Sequence, residues 1–149
     1  MRIILLLLLV CSAVSGAPSK KYSCGPAGPT RGLVWGHNHA SVDLSTTPIK
    51  SLRGIVRALG DQPVDGALVE VLIYSANSSA TRTEDDARSR RRLAACVTAR
   101  DGLFDFDLPS GSYELLTSKP DWNSTSVLVT IDKRRGRQRD IVIPLRIGD

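Results

Sequence analysis

The sequence is poor in the residue types on which most metal, nucleic-acid and membrane-spanning sites depend. It has two His, one Met, three Cys and few aromatic residues, namely two Phe, two Trp and three Tyr. Single-stranded nucleic acid is bound by basic grooves interleaved with stacking aromatics. The basic clusters of this chain lack such aromatics, so we expect no nucleic-acid partner. No apolar run beyond residue 17 approaches the roughly 20 residues that span a bilayer, so we expect no transmembrane segment in the mature chain.

The first 17 residues have the features of a secretory signal peptide. Arg2 supplies the charged end, Ile3–Val10 is apolar, and Ser15–Ala17 offers small residues for cleavage. We therefore predict a secreted, periplasmic or extracellular protein. Removal of this segment leaves 19 basic and 15 acidic residues, a net charge of +4.

The mature chain, roughly 130 residues, is long enough for one core. Residues 18–50 are rich in Gly and Pro and predict an extended arm, with one short strand around Gly32–Trp35. Residues 51–149 form the predicted β-domain. Residues 77–93 interrupt the β pattern and fit a short exposed helix or a charged loop equally well.

The segment Leu103–Leu116 gives the strongest fold signal. Apolar residues alternate with polar ones, with an Asp101-Gly102 turn before them and a Pro-Ser-Gly corner inside them. About seven such strands between residues 52 and 145 predict an all-β antiparallel sandwich. Asp105 and Asp107 should face water. The predicted core is Phe104, Phe106, Leu108, Tyr113, Leu115, Val127, Val129, Ile131, Ile141 and Ile143.

Four segments resemble the carboxypeptidase regulatory-like domain family: Gly54–Val56, Asp65–Val71, Thr98–Phe104 and Leu108–Tyr113. The resemblance extends over residues 52–146. It implies an Ig-like, transthyretin-like sandwich of about seven strands. It also implies an accessory, adhesive or carbohydrate-binding-like module more often than a catalyst, and no cofactor.

Two cysteines remain after signal cleavage, Cys24 and Cys96. In an oxidising compartment such a pair predicts a disulfide, which would tie the arm to the sheet. The alternative is a buried thiol at Cys96 and an exposed one at Cys24.

The only histidines, His37 and His39, lie two residues apart. In a strand they would share a face and could bind one metal ion, with a third ligand from another part of the chain. Exposure to solvent in the arm is the simpler interpretation.

Residues 133–139 hold five cations around Gly136, among them Arg134, Arg135 and Arg137. A solvated loop that protects sheet edges is one interpretation. Attraction to acidic polysaccharide or another polyanionic surface is the other.

Trp122, in a predicted inter-strand loop, is a candidate for stacking on a sugar, as is Trp35, although Trp side chains are usually packed. Asn77 and Asn123 begin N-glycosylation patterns, which have meaning only in a host that uses them.

The sequence thus favours a secreted, non-enzymatic binding or structural module that contacts a glycan, a polyanionic surface or another extracytoplasmic protein. The alternatives are a metal-binding protein or metal-assisted enzyme using His37 and His39, and a structural subunit whose arm docks on a partner.

Overall fold

A computed structural model describes residues 40–74 and 90–148, and the backbone of Gly25–Pro26. The regular structure of these residues is entirely β-strand. In chain order the strands are β1 (Gly25–Pro26), β2 (Ala40–Ile49), β3 (Leu52–Arg57), β4 (Leu68–Ile73), β5 (Arg92–Val97), β6 (Leu103–Phe106), β7 (Gly111–Ser118), β8 (Trp122–Asn123), β9 (Thr125–Ile131), β10 (Ile141–Pro144) and β11 (Arg146–Ile147).

The strands form three sheets. The large sheet has the order β1-β5-β4-β7-β9-β2, in which β1 adds only two residues at the edge. A three-stranded sheet has the order β10-β3-β6, and β11 pairs with β8. The all-β prediction is therefore confirmed.

Strand direction departs from the purely antiparallel prediction, because β2 runs parallel to β9 and β10 runs parallel to β3. Turn signals in a sequence mark hairpins, which join antiparallel neighbours. They carry no information on strands that are brought together by longer connections, so the parallel pairs were not foreseen.

One apolar core is shared by the large and the three-stranded sheets. Of the ten predicted core residues nine are buried, and the tenth, Leu108, is partly buried against them. Asp105 and Asp107 are exposed, as period-two alternation requires.

The tight turns predicted around Leu103–Leu116 are present. Gly102 has a φ of +67°, a conformation that favours glycine, and its N–H donates to the Ala99 carbonyl at 2.8 Å. Asp101 Oδ1 accepts a hydrogen bond from the Leu103 N–H at 3.1 Å. At the Pro-Ser-Gly corner, the Tyr113 hydroxyl donates to the Pro109 carbonyl at 2.9 Å. Local turn chemistry in the sequence thus specifies these two turns. They connect strands of different sheets, because β5 and β7 belong to the large sheet and β6 to the three-stranded sheet.

Strand β2 lies where the sequence interpretation placed the end of the extended arm. It pairs with β9, with Val42 opposite Val127, and its last residue, Ile49, is 1% exposed in the core. Val42 and Leu44 alternate with polar neighbours, which is the pattern of a half-buried strand. The Gly/Pro-rich stretch before it obscured this signal. The strand predicted around Gly32–Trp35 lies outside the described residues.

Candidate functional site

A concave groove lies beside β8 and β11. The chain builds it where β7 turns into β9. The Trp122 N–H donates to the Lys119 carbonyl at 3.1 Å, closing a turn in which Asp121 has a φ of 64°. This turn presents β8, whose Trp122 and Asn123 pair with Ile147 and Arg146 of β11. The groove is therefore fixed by backbone pairing.

The walls of the groove are mainly apolar. Its volume is about 480 Å³. Leu59 and Ile147 project beside it and are 89% and 68% exposed, which is unusual for side chains of this size. Large apolar groups that face water in a concave surface are typical of binding sites. The lining residues are Ala58, Leu59, Trp122, Asn123, Leu145, Arg146 and Ile147.

Trp122 is held between the core and the groove. Its ring packs partly against the core and also lines the groove. Lys119 Nζ lies over the ring, 5.2 Å from its centroid, and donates to the Asp65 carbonyl at 2.7 Å. This cation–π contact restricts the ring, so the tryptophan is pre-oriented before any ligand arrives.

Asn123 contributes a polar group that has no partner. The residue is only 4% exposed, and no described residue donates a hydrogen bond to its Oδ1 atom. An unsatisfied buried acceptor costs about 1–3 kcal/mol of stability.

The burial of Asn123 also bears on its glycosylation pattern. Ser124 and Thr125, the other two residues of the pattern, are 1% and 2% exposed. An asparagine enclosed this way is not an acceptor for a glycan in the folded domain. Asn77 lies outside the described residues.

The basic loop, residues 133–139, lies at the other end of β9. Asp132 organises it, because its Oδ1 atom accepts the N–H groups of Arg134 at 2.9 Å and Arg135 at 3.0 Å. These backbone hydrogen bonds, that from Arg135 foremost, hold the pKa of the Asp132 carboxyl below its ordinary value of 3.8. The loop is an ordered turn.

Three arginines of the basic loop face solvent without a carboxylate partner among the described residues: Arg134, Arg135 and Arg137. The other two cations are engaged. Lys133 Nζ lies 2.9 Å from Asp107 Oδ1, and Arg139 donates to the Thr47 carbonyl at 3.3 Å. The free positive charge of the loop is therefore concentrated at its tip.

The groove and the basic loop are separate surfaces. The groove residue Trp122 precedes the first residue of β9, Thr125, whereas the basic loop follows its last, Ile131. At about 3.3 Å per residue the two surfaces lie roughly 20 Å apart. The two contact surfaces predicted from the sequence cannot therefore serve one small ligand.

A buried ionic cluster on the outer face of the large sheet was not foreseen. Glu70 and Glu114 are 2% and 0% exposed. Arg92 pairs with Glu70 at 2.9 Å and Arg90 with Glu114 at 2.5 Å. The Ser126 hydroxyl also donates to Glu114. Because each carboxylate is paired with an arginine, the cluster favours a structural role.

A signal for this cluster was present in the sequence. On β4 and β7, Leu72 and Leu116 share the outer face with the two glutamates, and both are 2% exposed or less. A strand with apolar residues on both faces indicates burial on both sides. The two glutamates on this face are therefore also expected to be buried and to need partners of opposite charge.

Of the other predicted site residues, His37, His39 and Cys24 lie outside the described residues. Within the described residues, no group of three or more potential metal-binding side chains is found. Nor does that part of the chain contain a helix long and apolar enough to cross a membrane.

No protein-family model matches this sequence, and no curated protein matches it significantly.

Proposed function

We propose that the chain is a secreted, non-enzymatic binding module whose ligand is a carbohydrate held in the Trp122 groove. The main support is the presence in one groove of a pre-oriented aromatic ring, Trp122, and two exposed apolar side chains, Leu59 and Ile147. A sugar presents an apolar C–H face that packs on an aromatic ring and on apolar side chains. Secretion is supported by the signal-like pattern of residues 1–17.

A glycan array probed with the full mature chain tests this proposal. We expect binding to at least one glycan class, with loss of signal on Trp122→Ala. Trp35→Ala is the matched control, since it removes the other tryptophan of the chain. If no glycan is bound, or if only the Trp35 variant loses binding, the proposal is wrong.

A second candidate function is supported by the basic loop. Its three solvent-facing arginines, Arg134, Arg135 and Arg137, form a compact positive tip suited to a polyanionic surface such as an acidic polysaccharide. Arg134→Gln combined with Arg135→Gln should lower the salt concentration at which the chain elutes from a sulfated polysaccharide column. The control removes the same charge at exposed positions elsewhere, Arg91→Gln with Arg100→Gln. Equal elution of both variants would contradict a specific role for the loop.

We further propose that the domain is a transthyretin-like sandwich of the carboxypeptidase regulatory-like type. The support is the two sheets around one core and the position of the resembling segments in strands and turns: Asp65–Val71 leads into β4, and Thr98–Phe104 contains the Asp101-Gly102 turn. An experimental structure of the mature chain, compared with known domains of that family, would decide the assignment.

The predicted Cys24–Cys96 disulfide belongs to the same proposal. In the pairing of β1 with β5, Gly25 lies opposite Val97 and Pro26 opposite Cys96. Neighbouring strands lie about 4.8 Å apart. The residues that follow Cys24 thus pair with the strand that carries Cys96, which supports a link between the arm and the sheet at this edge.

A further inference from the structure

The segment that follows β2 runs beside the basic loop. The Lys50 N–H donates to the Arg137 carbonyl at 3.0 Å, and further along the two segments Arg53 pairs with Asp140 at 2.9 Å. These two contacts fix the register between the segments. Lys50 therefore lies on the surface that carries the loop arginines, although it is far from them in sequence.

Several cations of this surface have no carboxylate partner among the described residues. Lys50 is exposed and lacks such a partner, as do the three arginines of the loop tip, Arg134, Arg135 and Arg137. The carboxylate within the turn, Asp132, accepts backbone N–H groups through its Oδ1 atom. The surface thus keeps a surplus of positive charge at neighbouring positions.

The backbone that carries these cations is already ordered. The Gly136 N–H donates to the Asp132 carbonyl at 2.7 Å, and the Arg137 N–H donates to the Pro48 carbonyl at 3.0 Å. An ordered backbone lowers the entropy lost on binding, because only the side chains have still to be fixed. The cations therefore form a preformed surface.

The chemistry of the basic loop selects among anionic partners. The backbone of residues 134–137 extends at most about 11 Å, so a partner that neutralises its arginines must carry several anionic groups within a short length. Residues 133–139 offer no apolar side chain to insert among lipids and no aromatic ring to stack on a base. Each guanidinium can bind an oxyanion through two parallel hydrogen bonds. Dense sulfate groups on a hydrophilic chain meet these conditions.

We propose that Lys50 and the three arginines of the loop tip form one binding site for a densely sulfated linear polysaccharide. Lys50 supplies a contact from outside the loop, and the two segments present their cations as a single patch. This inference rests on the second candidate function, the binding of a polyanionic surface by the basic loop. It adds one binding residue and the class of anion.

Elution of the full mature chain from a heparin column tests the role of Lys50. Lys50→Gln should lower the salt concentration at elution and weaken the affinity for heparin about threefold to fivefold, because one cation is removed beside a dense anionic chain. Arg100→Gln is the matched control, since it removes one exposed charge in the turn between β5 and β6. Equal elution of the two variants overturns the inference, whereas the candidate function of the loop still depends on the combined Arg134 and Arg135 variant.

Isothermal titration with heparin and hyaluronan chains of equal length tests the class of anion. Both are linear polysaccharides, but heparin is densely sulfated and hyaluronan carries only widely spaced carboxylates. We expect heparin to bind about tenfold or more tightly, and also more tightly than vesicles that contain an anionic phospholipid. Equal affinity for hyaluronan, or tighter binding of the vesicles, overturns the assignment of a sulfated chain. If none of the three is bound at a salt concentration of about 0.15 M, the inference and the candidate function of the loop both fail.

Discussion

Ile49 and Arg137 form a single parallel bridge that fixes the basic loop to the last residue of β2. The Arg137 N–H donates to the Pro48 carbonyl and the Lys50 N–H to the Arg137 carbonyl, both at 3.0 Å. Asp132 N–H donates in turn to the Ile49 carbonyl at 2.9 Å. The loop that carries the exposed arginines is therefore attached to the corner where the chain passes between the two main sheets.

Gly136→Ala should destabilise the domain. A Cβ atom at this position would lie 2.3 Å from the Ile49 carbonyl carbon and oxygen, and backbone cannot move aside cheaply. We expect a loss of about 1–3 kcal/mol in the free energy of unfolding, measured by denaturant titration. Gly148→Ala is the control, because the nearest atom to its added Cβ would be 3.4 Å away. Equal unfolding free energies of the two variants would show that the loop backbone accommodates the added methyl group without loss of stability.

Acidification should weaken the order of the basic loop. The pKa of Asp132 is held below 3.8 by the Arg135 and Arg134 N–H groups, so its charged form stabilises the folded turn. A carboxyl whose pKa is lowered by folding contributes stability above its unfolded pKa, and this contribution is lost as pH falls through the folded value. An NMR titration should show the Arg134 and Arg135 amide signals moving with a midpoint below 3.8. A midpoint at or above that value would contradict the hydrogen bonds from the Arg134 and Arg135 N–H groups to the Asp132 carboxylate.

Glu114→Gln should be far more damaging than the same change in an exposed ion pair. Glu114 is fully buried, and its substitution removes the carboxylate that pairs with the mostly buried Arg90. Breaking a buried pair costs about 3–5 kcal/mol. Asp107→Asn breaks the exposed pair with Lys133 and should cost about 0–1 kcal/mol. Similar unfolding free energies for both variants would mean that the outer face of the large sheet is not enclosed.

The proposed Cys24–Cys96 disulfide should protect the mature chain from unfolding. It closes a loop of roughly 70 residues, for which the chain-entropy model gives about 4 kcal/mol. We expect no thiol to react with an alkylating agent in denaturant unless a reductant is added first, and reduction should lower the unfolding midpoint. Alkylation of both cysteines without reductant would show that the bridge is absent.

Sequence patterns sufficed for features that depend on neighbouring residues. Phe104 and Phe106 alternate with Asp105, and the turn at Asp101-Gly102 follows from local chemistry, so strand β6 and the turn before it could be predicted. The parallel pairing of β2 with β9 could not, because it joins residues about 85 positions apart with no local signal.

The candidate site was predicted only in part. Trp122 was identified by its residue type and its place in a loop. Asn123 was noticed only as part of a glycosylation pattern, since nothing in the sequence says that its Oδ1 atom is buried without a donor. The groove and Arg134 are separated because they lie at opposite ends of β9. The candidate residues taken one by one do not reveal this separation.

Chemical-shift mapping of the full mature chain, titrated with a glycan that it binds, tests the central claim most directly. The backbone amides of Leu59, Asn123 and Arg146 should shift, together with the Trp122 indole N–H, while those of the basic loop stay in place. Shifts confined to residues 133–139, or to any surface away from Trp122, would contradict the assignment of the groove as the carbohydrate site.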